Sequence, residues 1–314
     1  PRSLDISADG SLYFIDDNRI KKFSDKGKFL FYISREGRGP GEVISPLISH
    51  VYGDTLYIKQ GRGSSVLMQA YHLFNTNGEF IKKFTPHVPK ESLLPSGKNY
   101  LFQYLNHTTS LYCSSINGQD GDLYTKSISF GLTDQKTLEN KPLQMETITV
   151  KAFFKAESKR GSRAYARPYI LQNPNFVMFN DLFCLLPNGK EIYRFNLEGE
   201  LTRKILLDLP PIPVTKQEKD SMKIKNSHIP ANKPIVCEII ISDDGYFWLK
   251  HGKETDKYSQ QAYTYRILDP QGEYLCDQFM PIEISSIQNG YVYGFEYDND
   301  GMKIFKKIQL IKKN

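Results

Sequence analysis

Cysteine is scarce. Four residues in 314, Cys113, Cys184, Cys237 and Cys276, form no C-x-x-C pair and show no metal-ligand spacing. This excludes a zinc-ribbon or C-x-x-C redox protein. Each sits in an apolar, strand-like stretch and reads as a small buried hydrophobe, although an even count leaves disulfides open in an oxidising compartment. Histidine is scarce too: six residues, with no H-E-x-x-H and no close pair. There is no G-x-S-x-G elbow and no glycine loop ending in Gly-Lys-Ser/Thr, so neither a serine hydrolase nor a P-loop is supported. No apolar run reaches the ~18 residues of a membrane-spanning helix. The chain opens at Pro1 without a methionine or a signal peptide and reads as a trimmed or processed product.

Aromatic residues are plentiful. Twenty tyrosines and nineteen phenylalanines, with a mean hydropathy of −0.46, exclude a disordered chain and favour strands. The net charge of +6 is mild and does not by itself imply nucleic acid, but it is uneven. Lys151, Lys155, Lys159, Arg160, Arg163 and Arg167 face only Glu157 within one short segment.

Two phrases recur along the chain. The first is a Gly/Asp/Asn turn followed by an aromatic-rich strand, as in Asp9-Gly10-Ser11-Leu12-Tyr13-Phe14-Ile15, Gly53-Asp54-Thr55-Leu56-Tyr57-Ile58, Asn180-Asp181-Leu182-Phe183, Asp244-Gly245-Tyr246-Phe247-Trp248-Leu249 and Asn289-Gly290-Tyr291-Val292-Tyr293. The second is a hairpin closed by glycine: Gly27, Gly78, Gly199 and Gly272 end turns opened by Ser24, Asn75, Asn196 and Asp269. Leu12 and Leu56, like Tyr246 and Tyr291, lie about one 40–50-residue repeat apart, and a degenerate copy is expected at Ser110-Leu111-Tyr112-Cys113. The spacing predicts six units of roughly 52 residues, hence an all-β, six-bladed β-propeller with four-stranded antiparallel blades in a single domain over 1–314.

Arg35-Glu36-Gly37-Arg38-Gly39-Pro40-Gly41-Glu42, followed by Pro46, Ile48, Gly53 and Leu56-Tyr57-Ile58, resembles an NHL-type propeller repeat. The chain is similar to six-bladed propellers of Gram-negative bacteria in which a GxGPGE phrase follows the first blade and a phrase like Asp243-Asp244-Gly245-Tyr246-Phe247-Trp248 marks the fifth. The resemblance runs end to end and is weakest over 86–170. It implies the fold and an exported, lipoprotein-like product in the periplasm or at the outer membrane, with a lipid anchor upstream of Pro1. It implies no reaction and no cofactor.

Blades are expected at 3–34, 47–85, 98–154, 174–207, 235–280 and 282–312, with strands a to d running outward. The d-to-a crossovers and b-to-c turns then share one face, the a-to-b and c-to-d turns the other. Length variation falls on the first face, which is expected to be the working face. It collects the Gly37–Glu42 stretch, the 59–65 turn, a basic crossover at 155–168, the 208–234 crossover and the 251–261 turn. Within 208–234, Thr215-Lys216-Gln217-Glu218 fits a capping box and predicts one short helix near 215–226. The last blade offers strands at 282–288, 290–296 and 302–312 only. Either a segment before Pro1 supplies its outer strand, or it is three-stranded with an exposed edge.

The candidate binding residues are Arg38, Glu42, Arg62, Arg160, Arg163, Arg167 and His251. Gly37–Glu42 could cradle an anion on successive N–H groups, or it could be a tight crossover in which Arg38 and Glu42 pair. Phe153, Phe154, Tyr165 and Tyr169 interleave with the basic run, a pattern open to stacking and phosphate contact, yet an anionic glycan or acidic protein fits it equally. Asp298-Asn299-Asp300-Gly301 lacks the glutamate of a calcium loop and reads as a turn. The inner strands offer Asp5, His50, Asn175 and Glu238, of which His50 and Glu238 are weak metal candidates. The expectation is a non-catalytic extracytoplasmic binding module for an anionic glycan or protein partner. The alternative is a metal-dependent hydrolase or lyase centred on the channel.

Overall fold

The computed structural model describes residues 4–61, 70–91, 94–95, 98–106, 108–158, 161–168, 175–179, 181–222, 224–251, 263–298 and 300–310. The short apolar runs between turn formers become strands, each antiparallel to the next in its sheet. The first sheet is β1 (Leu4–Ile6), β2 (Leu12–Asp16), β3 (Arg19–Phe23) and β4 (Phe29–Ser34). The second is β5 (Pro46–Tyr52), β6 (Thr55–Gln60), β7 (Tyr71–Asn75) and β8 (Phe80–Phe84). The third runs β9 (Lys98–Tyr104), β10 (Thr109–Asp120) and β11 (Leu123–Asp134); short β12 (Asn140–Pro142) joins β11, and β13 (Ile148–Ser158) and β14 (Gly161–Ala166) extend it outward.

The fourth sheet is β15 (Asn175–Phe179), β16 (Leu182–Leu186), β17 (Glu191–Asn196) and β18 (Leu201–Leu206). A ribbon of β19 (Ile212–Pro213) and β20 (Asn232–Lys233) spans the following crossover. The fifth sheet is β21 (Val236–Ile241), β22 (Phe247–His251), β23 (Tyr263–Leu268) and β24 (Tyr274–Met280). A closing sheet follows: β25 (Glu283–Gln288), β26 (Tyr291–Tyr297) and β27 (Lys303–Gln309).

Burial follows each strand's place in its sheet. Second strands are covered on both faces, so β2, β6, β16 and β22 each bury a run of four residues regardless of alternation. Fourth strands lie at the rim, and β8 and β24 are exposed nearly throughout. The apolar clusters join neighbouring sheets in chain order. Ile15 and Ile20 meet Leu56 and Phe74; Tyr57 and Tyr71 meet Tyr104; Cys113 and Phe130 meet Phe183 and Phe195. Cys184 and Ile192 meet Ile239 and Leu249; Trp248 and Tyr265 meet Ile284 and Val292; Tyr293 and Phe295 meet Ile6 and Leu12. The last cluster joins the end of the chain to its start, so the propeller is a closed ring. Removing one of these buried rings should cost about 3–5 kcal/mol.

Several expectations are corrected. Five sheets, not six, have the four or more strands of a complete blade; the closing sheet has three among the described residues, and the third has six. Segment 155–168 is not a crossover: β13 and β14 form a hairpin in which Arg163 sits opposite Ala156. Its lysines and arginines alternate with Ala, Ser, Phe and Tyr, and that alternation suits a strand as well as a loop. The helix is shorter than expected, Lys216–Ser221. Thr215 Oγ1 accepts from Glu218 N at 3.2 Å, and the Glu218 carboxylate accepts from Thr215 N at 2.9 Å. A turn of 3-10 helix follows at Asn226–His228. Of the four free cysteines, Cys113 and Cys184 are buried, whereas Cys276 on the rim strand β24 is exposed.

Candidate functional site

Inner strands end together at the a-to-b face, and their ends line a cleft of about 670 Å³ on the ring axis. Its polar lining includes Asp5, Ser7, His50, Asp181 and Asp243, with no lysine or arginine. The carboxylates are engaged in holding the ring together. Asp5 accepts from Ile6 N at 2.8 Å and, across to β5, from Val51 N at 2.6 Å. Asp243 accepts from Asn289 N at 2.6 Å, and Asp181 accepts from the Tyr52 hydroxyl at 3.2 Å. Burial nevertheless pushes the Asp5 carboxyl up to about 6.

His50 is buried between the second and third sheets, stacked on Tyr57 at 4.5 Å. Its Nε2–H donates to Leu105 O at 3.2 Å while Nδ1 accepts from Gln103 Nε2 at 3.2 Å. One neutral tautomer satisfies both contacts, and burial pushes the ring down to about 4. Glu238 pairs instead with Lys250, at 3.7 Å. The structure therefore does not bring His50 and Glu238 together, and among the described residues no group of three His, Cys, Asp or Glu is placed to hold a metal ion. Asn175 donates to Cys237 O at 2.6 Å.

The opposite, d-to-a face carries a second cavity, of about 580 Å³, under the crossover between the fourth and fifth sheets. Its apolar shelf is Leu207, Leu209, Pro211, Pro230, Pro234 and Ile235; its polar groups come from Asn188, Lys190, Asn232 and Lys233, with no carboxylate residue among the lining. Three prolines and the ribbon of β19 and β20 stiffen this wall, because proline fixes φ. Lys233 is buried and paired with Glu218 of the capping box, which ties the helix to the shelf. Behind the wall lies Arg167, only 9% exposed. Its Nε donates to His228 O at 2.9 Å and its Nη1 to Lys151 O at 3.0 Å, joining the β13–β14 hairpin to the crossover. No carboxylate pairs with it among the described residues, and burial lowers its pKa. His228 stacks on Phe154 at 4.5 Å.

The same face holds an ion cluster at the channel, with a buried lysine and two half-buried glutamates. Lys250, 8% exposed, lies 2.8 Å from Glu283 Oε1 and 4.7 Å over the Tyr263 ring, with Glu238 on its other side. Burial pushes the Glu238 carboxyl up.

The remaining predicted residues fall apart. In the GxGPGE stretch, Glu42 pairs with Arg35 at 2.9 Å, not with Arg38, which is exposed. Its Oε2 accepts from Gly39 N at 2.8 Å, and that bond, together with Arg35, holds the carboxyl below its ordinary value. A methyl on Gly37 would lie 2.1 Å from Glu42 Oε2. The glycines thus cradle an anion, but it is the chain's own carboxylate. His251 is half-buried at the end of β22, opposite Val236. Arg163 lies on β14, and Arg167 is buried where an exposed contact was expected. Arg62 and Arg160 lie outside the described residues. Lys190 was missed; its signal is the Pro187-Asn188-Gly189-Lys190 turn, which belongs to the b-to-c class already placed on this face.

No protein-family model matches the chain, and no curated protein does. Solved structures do. A candidate exported protein from Bacteroides fragilis, BF0058, superposes with a TM-score of 0.51 at 12% identity, over 99% of this chain and 91% of that one. BamB from Moraxella catarrhalis gives 0.34 at 12% identity over 98% and 84%, and a candidate TolB from Agrobacterium tumefaciens 0.41 at 10% over 99% and 90%. The Bacteroides likeness shows the fold.

Proposed function

We propose that this chain is a non-catalytic, extracytoplasmic binding module that holds an anionic glycan or acidic protein segment on its d-to-a face. The observation that carries the reading is the lining of the crossover cavity. Lys190 and two asparagines border an apolar, proline-stiffened shelf that no carboxylate residue lines, Lys233 of its wall is held by Glu218, and the buried Arg167 stands behind it. A guanidinium removed from water is screened poorly, so its charge reaches further than that of a surface lysine. The shelf suits the apolar face of a sugar ring, and Lys190 suits its carboxylate. An exported location rests on the GxGPGE resemblance and on the fold shared with the Bacteroides protein.

The test is calorimetric titration with polygalacturonate, and with neutral dextran as the control. Polygalacturonate should bind, and more weakly as salt rises. Lys190→Ala should weaken it about fivefold, the effect of one charge-assisted contact worth ~1 kcal/mol, with an unchanged thermal midpoint. Equal binding of dextran, or binding indifferent to salt and to Lys190→Ala, would remove the reading.

A further inference from the structure

The polar groups that line the crossover cavity are not equally free. Lys233 is buried and bound by Glu218, so its ammonium is taken up by the wall. Asn188 closes the neighbouring turn: its Oδ1 accepts from Lys190 N at 2.9 Å and from Glu191 N at 3.2 Å. The acid next to Lys190 is engaged elsewhere, since Glu191 lies 3.0 Å from Lys204 Nζ and accepts from the Tyr193 hydroxyl at 2.9 Å. Lys190 and Asn232 are exposed, and neither side chain has a partner among the described residues. Among those residues the cavity of about 580 Å³ therefore offers a ligand one free ammonium and one free amide.

The backbone around the cavity is short of donors. Pro211, Pro230 and Pro234 bring carbonyls but no N–H, and Pro213 does the same within β19. Leu207 N is taken by Lys190 O at 2.8 Å and Val214 N by Ala231 O at 2.9 Å, while the ribbon pairs Ile212 with Lys233. An extended peptide docks through a run of backbone donors and acceptors along a strand edge. Among the described residues the border of this cavity has no such run. A sugar ring needs none. Its hydroxyls donate to carbonyls and amide oxygens, and its C–H face lies on aliphatic surface of the kind that Leu207, Leu209, Ile235 and the prolines provide.

We infer, on the reading of this face proposed above, that the ligand is an acidic glycan of sparse charge, one carboxylate-bearing ring among neutral ones, and not an acidic protein segment. The carboxylate meets Lys190, ring hydroxyls meet Asn232 and the proline carbonyls, and the neutral rings lie on the shelf. A second carboxylate in the same stretch would leave water for an apolar shelf without gaining a cation, and an uncompensated charge costs affinity. A densely charged polyuronate meets that cost at the rings beside the anchored one. An acidic peptide meets it at each surplus side chain and lacks the backbone contacts as well. The wall is fixed by its prolines and by the Lys233–Glu218 pair, so it supplies no further cation by rearranging.

Calorimetry with four probes tests this: xylotriose bearing a single glucuronate, trigalacturonate, neutral xylotetraose and hexaglutamate. The singly charged sugar should bind tightest, by at least about fivefold over each of the others. Lys190→Ala should bring its affinity to within about twofold of xylotetraose, with an unchanged thermal midpoint. Asn232→Ala should weaken the singly charged and the neutral sugar by the same factor, since its amide contacts hydroxyls and not the carboxylate. Trigalacturonate binding as tightly as the singly charged sugar, with Lys190→Ala abolishing both, would overturn the sparse-charge ligand and leave the face a glycan site. Hexaglutamate as the tightest probe would overturn it in favour of an acidic protein segment. No binding of any probe would remove the reading of the face itself, and this ligand with it.

Discussion

The two mouths of the ring are built from the same repeats yet carry opposite charge. At the a-to-b mouth, carboxylates at the ends of inner strands accept backbone N–H groups from the next sheet, so acid serves as mortar between blades. At the d-to-a mouth, the crossover cavity is lined by lysine and asparagine, and the acids at the channel are held by Lys250. The difference teaches that charge near the axis is committed to closure, whereas at the crossover mouth Lys233 and Arg167 tie the wall together and Lys190 of the neighbouring turn borders the cavity.

The largest effect should come from the channel cluster. Lys250→Met leaves the half-buried Glu238 and Glu283 without this buried cation and should cost about 3 kcal/mol in urea unfolding. An undisturbed midpoint would show that the acids there are solvated and not committed. Arg167→Ala comes next. It removes two charge-assisted bonds to backbone carbonyls, that to His228 O buried and that to Lys151 O part-buried, and should cost about 2–3 kcal/mol, while weakening polygalacturonate binding as well. A loss of stability with unchanged binding would make Arg167 a strut alone.

The a-to-b mouth gives a pH signature. The folded Asp5 pKa, about 6, lies above its ordinary 3.8, so its contribution is full below pH 3.8 and is lost as pH rises through 6. His50 has the opposite sign. Its folded value, about 4, lies below the ordinary 6.5, so its contribution is present above pH 6.5 and is lost as pH falls towards 4. Across pH 4–6.5 the two offset each other. Asp5→Asn should therefore steepen the fall in stability between pH 6.5 and 4 by about 3 kcal/mol. Parallel pH profiles for the two proteins would refute this pairing.

What the sequence made legible follows from which forces are local. Turn glycines at 27, 78, 199 and 272 and the aromatic second strands announce themselves within seven residues, and so does the Thr215–Glu218 box. The third sheet did not, because the alternation of β13 and β14 runs through lysine and arginine and resembles a solvated loop. Arg167 could not be read at all: its acceptors, Lys151 O and His228 O, lie 16 and 61 residues away and are backbone atoms. Glu42 was read as a partner of Arg38 because sequence shows charge but not which of two neighbouring arginines turns inward. The count of six four-stranded blades failed at the closing sheet, for which the residues offered three strands and left the outer one open.

Amide hydrogen exchange with and without saturating polygalacturonate tests the account most directly, since one experiment reads both mouths. Protection is predicted over 207–214 and 229–235 and the turn at 187–190, with 50–53 and 241–243 unchanged. Protection confined to the acidic mouth, or none at either, would contradict it.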